Sequence, residues 1–73
     1  MNLDLKQAAP VRKWKKDGNY IMIERVVTED GPFLIVERKS GDLPADFMGK
    51  FPLSDEADLI SRMSQWAADN GYT

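Results

Sequence analysis

NYIMIERVVT, residues 19–28, is the stretch on which the fold turns. It is dense in aromatic and β-branched side chains, which fit a pleated surface. Alternation puts Tyr20, Met22, Glu24 and Val26 on one face and Ile21, Ile23, Arg25 and Val27 on the other. Both faces are mostly apolar, as expected of a central strand covered on one side and partly covered on the other. Such a strand needs a neighbour at each edge, and the flanking sequence supplies both.

Upstream, VRKWKKDG (11–18) sets four basic residues around Trp14. Asp17-Gly18 suits the positive-φ positions of a tight hairpin, so 11–16 reads as an outer strand. Arg12, Trp14 and Lys16 then share one face, and Val11, Lys13 and Lys15 the other. Downstream, Glu29-Asp30-Gly31-Pro32 is a second turn, and FLIVERK (33–39) is a third strand ended by Ser40-Gly41. Residues 1–10, MNLDLKQAAP, read as a mobile N-terminal arm, with Leu3 and Leu5 available to pack back. Residues 41–53, GDLPADFMGKFPL, mix prolines and glycines with aromatics. They read as an irregular connection pinned to the core by Phe47 and Phe51, with a short extra strand around Phe47–Phe51 as the alternative.

SDEADLISRMSQWAADNGY (54–72) carries a helix signature. Ser54 suits the N-cap, because its hydroxyl can accept a free backbone N–H of the first turn. Asp55, Glu56 and Asp58 place negative charge at the positive end of the helix dipole. Leu59, Ile60, Met63, Trp66 and Ala67 recur at spacings of three and four, and Asn70-Gly71 supplies the left-handed stop. The expected helix spans 55–69. The expected fold is α+β: a three-stranded antiparallel β-meander followed by one C-terminal α-helix packed on the sheet, a single domain over 11–73.

Seventy-three residues suffice for one small core, and 42% hydrophobic content is too high for a wholly disordered chain. No apolar run approaches the ~20 residues that span a bilayer, and Met1–Pro10 lacks a signal-peptide core. A soluble cytoplasmic protein without membrane contact is the expectation. The net charge of −2 conceals a gradient. Residues 1–16 hold Lys6, Arg12, Lys13, Lys15 and Lys16 against Asp4 alone. Residues 42–73 hold Lys50 and Arg62 against Asp42, Asp46, Asp55, Glu56, Asp58 and Asp69. Such polarity orients a molecule toward a charged partner, or lets its basic strand lie against its own acidic half.

The chain has no histidine and no cysteine. It therefore lacks the usual neutral-pH proton shuttle and the ligands of common zinc, haem and iron–sulfur sites. The carboxylate pairs Asp42/Asp46 and Asp55/Asp58 read better as loop polarity and helix N-terminal charge than as an acid–base couple. Lys39-Ser40 reads as a strand end. A non-enzymatic binding protein without cofactor or metal is the expectation.

Three binding modes compete. A protein partner with an acidic surface suits Arg12, Lys13, Lys15 and Lys16, with Trp14 as a buried anchor; Trp and Arg are enriched at interface hot spots. An edge strand at 11–16 or 33–39 could also accept a partner's strand, although lysines on an edge equally serve to prevent aggregation, and Trp14 equally suits the core. Nucleic acid is the alternative. An open sheet face could use Arg12, Lys16, Arg25 and Arg38 on phosphates or base edges, with Trp14 stacking, an element order similar to plant AP2-type and transposon-integrase DNA-binding domains. The acidic net charge weighs against it. The third mode is a purely structural or dimer-forming role, in which a second copy buries a face of strand 19–28; a monomer or weak dimer is the expectation.

In length, acidity, absence of cysteine and lack of catalytic apparatus, the chain resembles small phage-encoded regulators that bind bacterial RNA polymerase, transcription antiterminators among them. The resemblance lies in size and overall make-up, and no site residue carries over from it. It implies binding to the β′ subunit near its N-terminus, by the RNA exit channel. It further implies altered initiation at host promoters, read-through of terminators, and action in the host bacterial cytoplasm.

Overall fold

The computed structural model describes residues 7–73. Four strands, β1 (Gln7–Lys16), β2 (Asn19–Thr28), β3 (Gly31–Ser40) and β4 (Asp46–Phe51), precede a 3-10 turn at Leu53–Asp55 and a helix α1 (Glu56–Asp69). The strands form one antiparallel sheet in the order β1-β2-β3-β4. The α+β class and the single C-terminal helix agree with expectation; the three-stranded count does not. The fourth strand lies inside the stretch expected to be irregular. Its alternation is broken by a bulge: Gly49 pairs with Val36 and Phe47 with Glu37, leaving Met48 as the extra residue.

The sheet also begins earlier than expected. Residues 7–10, assigned to a mobile arm, extend β1 and pair with Val27, Val26, Arg25 and Glu24. Residues 1–6 of that arm, with Leu3 and Leu5, lie outside the described residues. Pro10 is tolerated because β1 is an edge strand and because the register shifts between Pro10 and Arg12. Of the Asp17-Gly18 pair, Asp17 takes the left-handed conformation, at φ 53°. The second turn shrinks to Glu29-Asp30, braced by Thr28. Its hydroxyl accepts from the Asp30 N–H (3.1 Å) and donates to the Gly31 carbonyl (3.2 Å).

One face of the sheet packs on α1. Trp14, Ile21, Ile23, Leu34 and Val36 meet Leu59 and Ala67 there, with Val11, Phe51, Leu53, Ile60, Met63 and Tyr72 around them. Cross-strand pairing explains the selection: Trp14 stands opposite Ile21, and Ile23 opposite Val36. The other face carries Val26, which is 2% exposed and lies outside the cluster that meets α1 among the described residues. Its cross-strand neighbours there are Ala8 and Phe33.

Both helix ends rest mainly on backbone. Ser54 is not the N-cap; it lies inside the 3-10 turn, and no side-chain hydrogen bond caps the N-terminus of either that turn or α1. The extended Pro52 leads into that turn, so Asp55 N–H donates to the Pro52 carbonyl (3.0 Å) and Glu56 N–H to the Leu53 carbonyl. These bonds take the donors that a hydroxyl would otherwise satisfy. At the C-terminus Gly71 takes φ 79°, Gly71 N–H donates to Ala68 (3.3 Å) and Tyr72 N–H to Ala67 (2.8 Å). This is the Schellman arrangement that Asn70-Gly71 foretells. Tyr72 then packs on Trp66, with ring centroids 5.2 Å apart.

Candidate functional site

The basic strand divides across its own alternation. Arg12, Trp14 and Lys16 stand opposite Ile23, Ile21 and Asn19, on the helix side; Lys13 and Lys15 stand opposite Met22 and Tyr20, on the open side. All four cations are exposed. Trp14 is only 6% exposed and belongs to the core, which removes it as an anchor for a partner. The four charges thus form a rim along one edge of the sheet, with a cation on each side of a buried indole.

The members of that rim are not equivalent. Lys16 donates from Nζ to the Asn70 carbonyl (2.9 Å) and sits 5.9 Å from the Tyr72 ring centroid, so it serves the end of α1. The Arg12 guanidinium lies 5.8 Å from the Trp14 centroid, and Lys13 lies over Tyr20 at 4.3 Å. Ion pairs form elsewhere: Arg25–Glu56 (3.2 Å), Arg38–Asp46 (3.7 Å) and Arg62–Asp58 (2.9 Å). Among the described residues none joins a β1 cation to the acidic half. Of the acidic pairs considered for catalysis, Asp58 is bonded to Arg62 and Asp46 lies 3.7 Å from Arg38, and no group of three Asp or Glu converges as a metal site among the described residues.

The open face has a polar centre. Tyr20 donates its hydroxyl to Glu37 Oε2 (3.0 Å). That bond, then desolvation and the charges of Glu37 and Glu24, push the phenol above its ordinary value. Desolvation, then the Glu37 charge, push the Glu24 carboxyl up as well. Around this centre lie Lys13 over Tyr20 and Lys50 over Phe33 (4.4 Å). Arg12, Lys16, Arg25 and Arg38, expected on an open nucleic-acid face, lie instead on the helix side, since they pair with or alternate with buried core positions.

A second surface escaped the sequence. Between α1 and β4 runs a groove of about 510 Å³, floored by Ile21, Val36, Phe51 and Leu59 and walled by Met48, Met63 and Trp66. Met48 (49% exposed) and Trp66 (37%) reach solvent. Arg38 and Arg62 bring the only charges to its lining. The helix pattern held a signal: Leu59, Arg62, Met63 and Trp66 follow i, i+3, i+4, i+7, so an arginine stands within the apolar stripe. Met48 gave none, because only the bulge turns it toward the helix. Phe47, expected to pin the connection to the core, is 63% exposed, whereas Phe51 does pack there.

No helix among the described residues is long and apolar enough to cross a membrane. The chain matches no protein-family model, no curated protein and no solved structure.

Proposed function

We propose that this chain is a non-enzymatic interaction protein that binds an acidic protein surface through the basic rim of β1. The observation that carries this reading is the state of the four cations. Arg12, Lys13, Lys15 and Lys16 all stay exposed at one edge, and the ion pairs present involve Arg25, Arg38 and Arg62 instead. Exposed like charges on one edge focus a field that steers encounter with an acidic partner. Arg12, Lys13 and Lys15 contact the partner; Lys16 adds charge but is held by the helix end. The resemblance to phage regulators makes bacterial RNA polymerase, at its β′ subunit, the partner to try first, with altered initiation or suppressed termination as the outcome. Titration of purified polymerase with the wild type and an R12A/K13A/K15A variant tests it. The variant binds at least tenfold more weakly at low salt if the rim is the contact; equal affinity removes the rim from the account.

A second reading, a sheet-face nucleic-acid binder, is favoured by one observation. Lys13 over Tyr20 and Lys50 over Phe33 set two lysine–aromatic pairs on the open face. Bases stack on such rings once the ammonium groups now lying over them swing out to phosphate. Glu24 and Glu37 in the same face oppose it. A gel shift that appears at low salt and falls steeply as salt rises is its signature.

A further inference from the structure

We infer that the groove between α1 and β4 is a second docking site, which takes an acidic peptide segment whose large apolar side chain lies next to a carboxylate. The inference rests on the reading of the chain as a protein-binding module, and it adds a site with a lining separate from the cations of the β1 rim.

Three features select this occupant. The groove is about 510 Å³ and its floor is apolar, within the range of sites that enclose a ligand. Its exposed walls are Met48 and Trp66: methionine adapts to varied shapes, and tryptophan is the commonest hot-spot residue. Its charge is supplied by two arginines, whose planar forks grip carboxylates in pairs of parallel hydrogen bonds.

The arginines also have capacity to spare. Arg38 Nε has no hydrogen-bond partner among the described residues but is itself buried, so a ligand reaches Arg38 through the exposed terminal nitrogens. Arg38 Nη2 approaches Asp46 Oδ2 only to 3.7 Å, longer than a hydrogen bond. Arg62 pairs with Asp58 at 2.9 Å, but both side chains are largely exposed, and exposed pairs of this kind hold weakly. A carboxylate delivered above an apolar floor is better shielded from water than Asp58 is, and competes with it for Arg62. A partner with an acidic patch and an apolar side chain beside a carboxylate therefore meets both surfaces, the rim by charge and the groove by shape and by displacing Asp46 and Asp58 from the two arginines.

The test is an NMR titration of the full chain with a short synthetic peptide that carries tryptophan and leucine on one face and glutamate on the other. Its twin has glutamine at every glutamate. The expected result is progressive shifts at Met48, Met63, the Trp66 indole and Arg62, with the glutamate peptide about tenfold tighter than its twin. The R62Q and M48E variants, both altered at exposed positions, should keep the wild-type fold by circular dichroism. R62Q narrows the difference between the peptides and M48E abolishes binding. No shift in the groove, shifts confined to the Lys13 and Lys15 face, or equal affinity for the two peptides overturns the inference. A polymerase titration beside it separates the two claims. If the wild type does not bind polymerase, that partner is wrong, while the peptide result still decides the groove.

Discussion

The Lys16 ammonium lies 2.9 Å from the Asn70 carbonyl oxygen, so the last cation of β1 closes the C-terminal end of α1. Thr73 N–H donates to the Lys15 carbonyl (2.7 Å) beside it, binding the segment after α1 to the edge of the sheet. The basic strand is thus part of the scaffold as well as a surface. A cation here meets the negative end of the helix dipole, an interaction of about 0.3–1 kcal/mol at low ionic strength. Replacing Lys16 with Met, which keeps most of the stem, should lower stability by about that amount in urea denaturation, and less at high salt. Lys13→Met and Lys15→Met should change stability by less than about 0.5 kcal/mol.

Gly49 and Phe51 set the geometry of β4. A Cβ at Gly49 would lie 2.9 Å from the Phe51 ring, which therefore folds over the glycine on the core side. Gly49→Ala should displace that ring and cost about 1–3 kcal/mol, as overpacked sites do. Thermal unfolding checks it. In a Phe51→Leu background the same change should cost measurably less, because the two positions share one space.

Trp14 is a core residue flanked by surface cations. Trp14→Ala should cost about 3–5 kcal/mol, a large share of the total stability of a small domain. Loss of the cooperative unfolding transition, or a large drop in Tm, is the expected readout. A mild effect would return Trp14 to the surface and restore it as a partner anchor.

The open face gives a pH dependence with a definite sign. The Glu24 carboxyl sits above its usual 4.5, by desolvation and then by the Glu37 charge. The folded chain therefore holds this proton more tightly than the unfolded chain. The contribution of Glu24 to stability is greatest below about pH 4.5 and is lost as pH rises through the elevated value. Glu24→Gln should raise Tm at neutral pH, with the gain fading in acid. Tyr20 behaves likewise at the alkaline end: its phenol is raised chiefly by the hydrogen bond to Glu37. That stabilisation should be lost as pH rises beyond 10, and Glu37→Gln should bring the ultraviolet titration of Tyr20 closer to 10.

Local chemistry made much of this fold legible. Strand 19–28 and the hairpin turns on either side appeared where their residue types placed them, and Gly71, after Asn70, stopped the helix as a left-handed residue does. The misreadings share a cause. Pro10 and Gly49 look like breakers, yet one lies at the edge of the sheet beside a bulge and the other gives room to an aromatic ring. Bulges at Val11 and Met48 shift the alternation on which strand reading depends. The site was half legible. The cations of β1 stood out by density, but Trp14 could be told from an anchor only once α1 covered it. The groove is a relation between β4 and α1, and neither segment alone implies it.

The central claim is that the exposed cations of β1 engage an acidic protein partner. The most direct measurement is the affinity of this chain for purified bacterial RNA polymerase, by fluorescence titration at low and high salt, for the wild type, R12A/K13A/K15A and Lys16→Met. Saturable wild-type binding that weakens with salt, falls at least about tenfold in the triple variant and is largely kept in Lys16→Met is the predicted result. Salt-independent binding that the triple variant retains in full would contradict the claim.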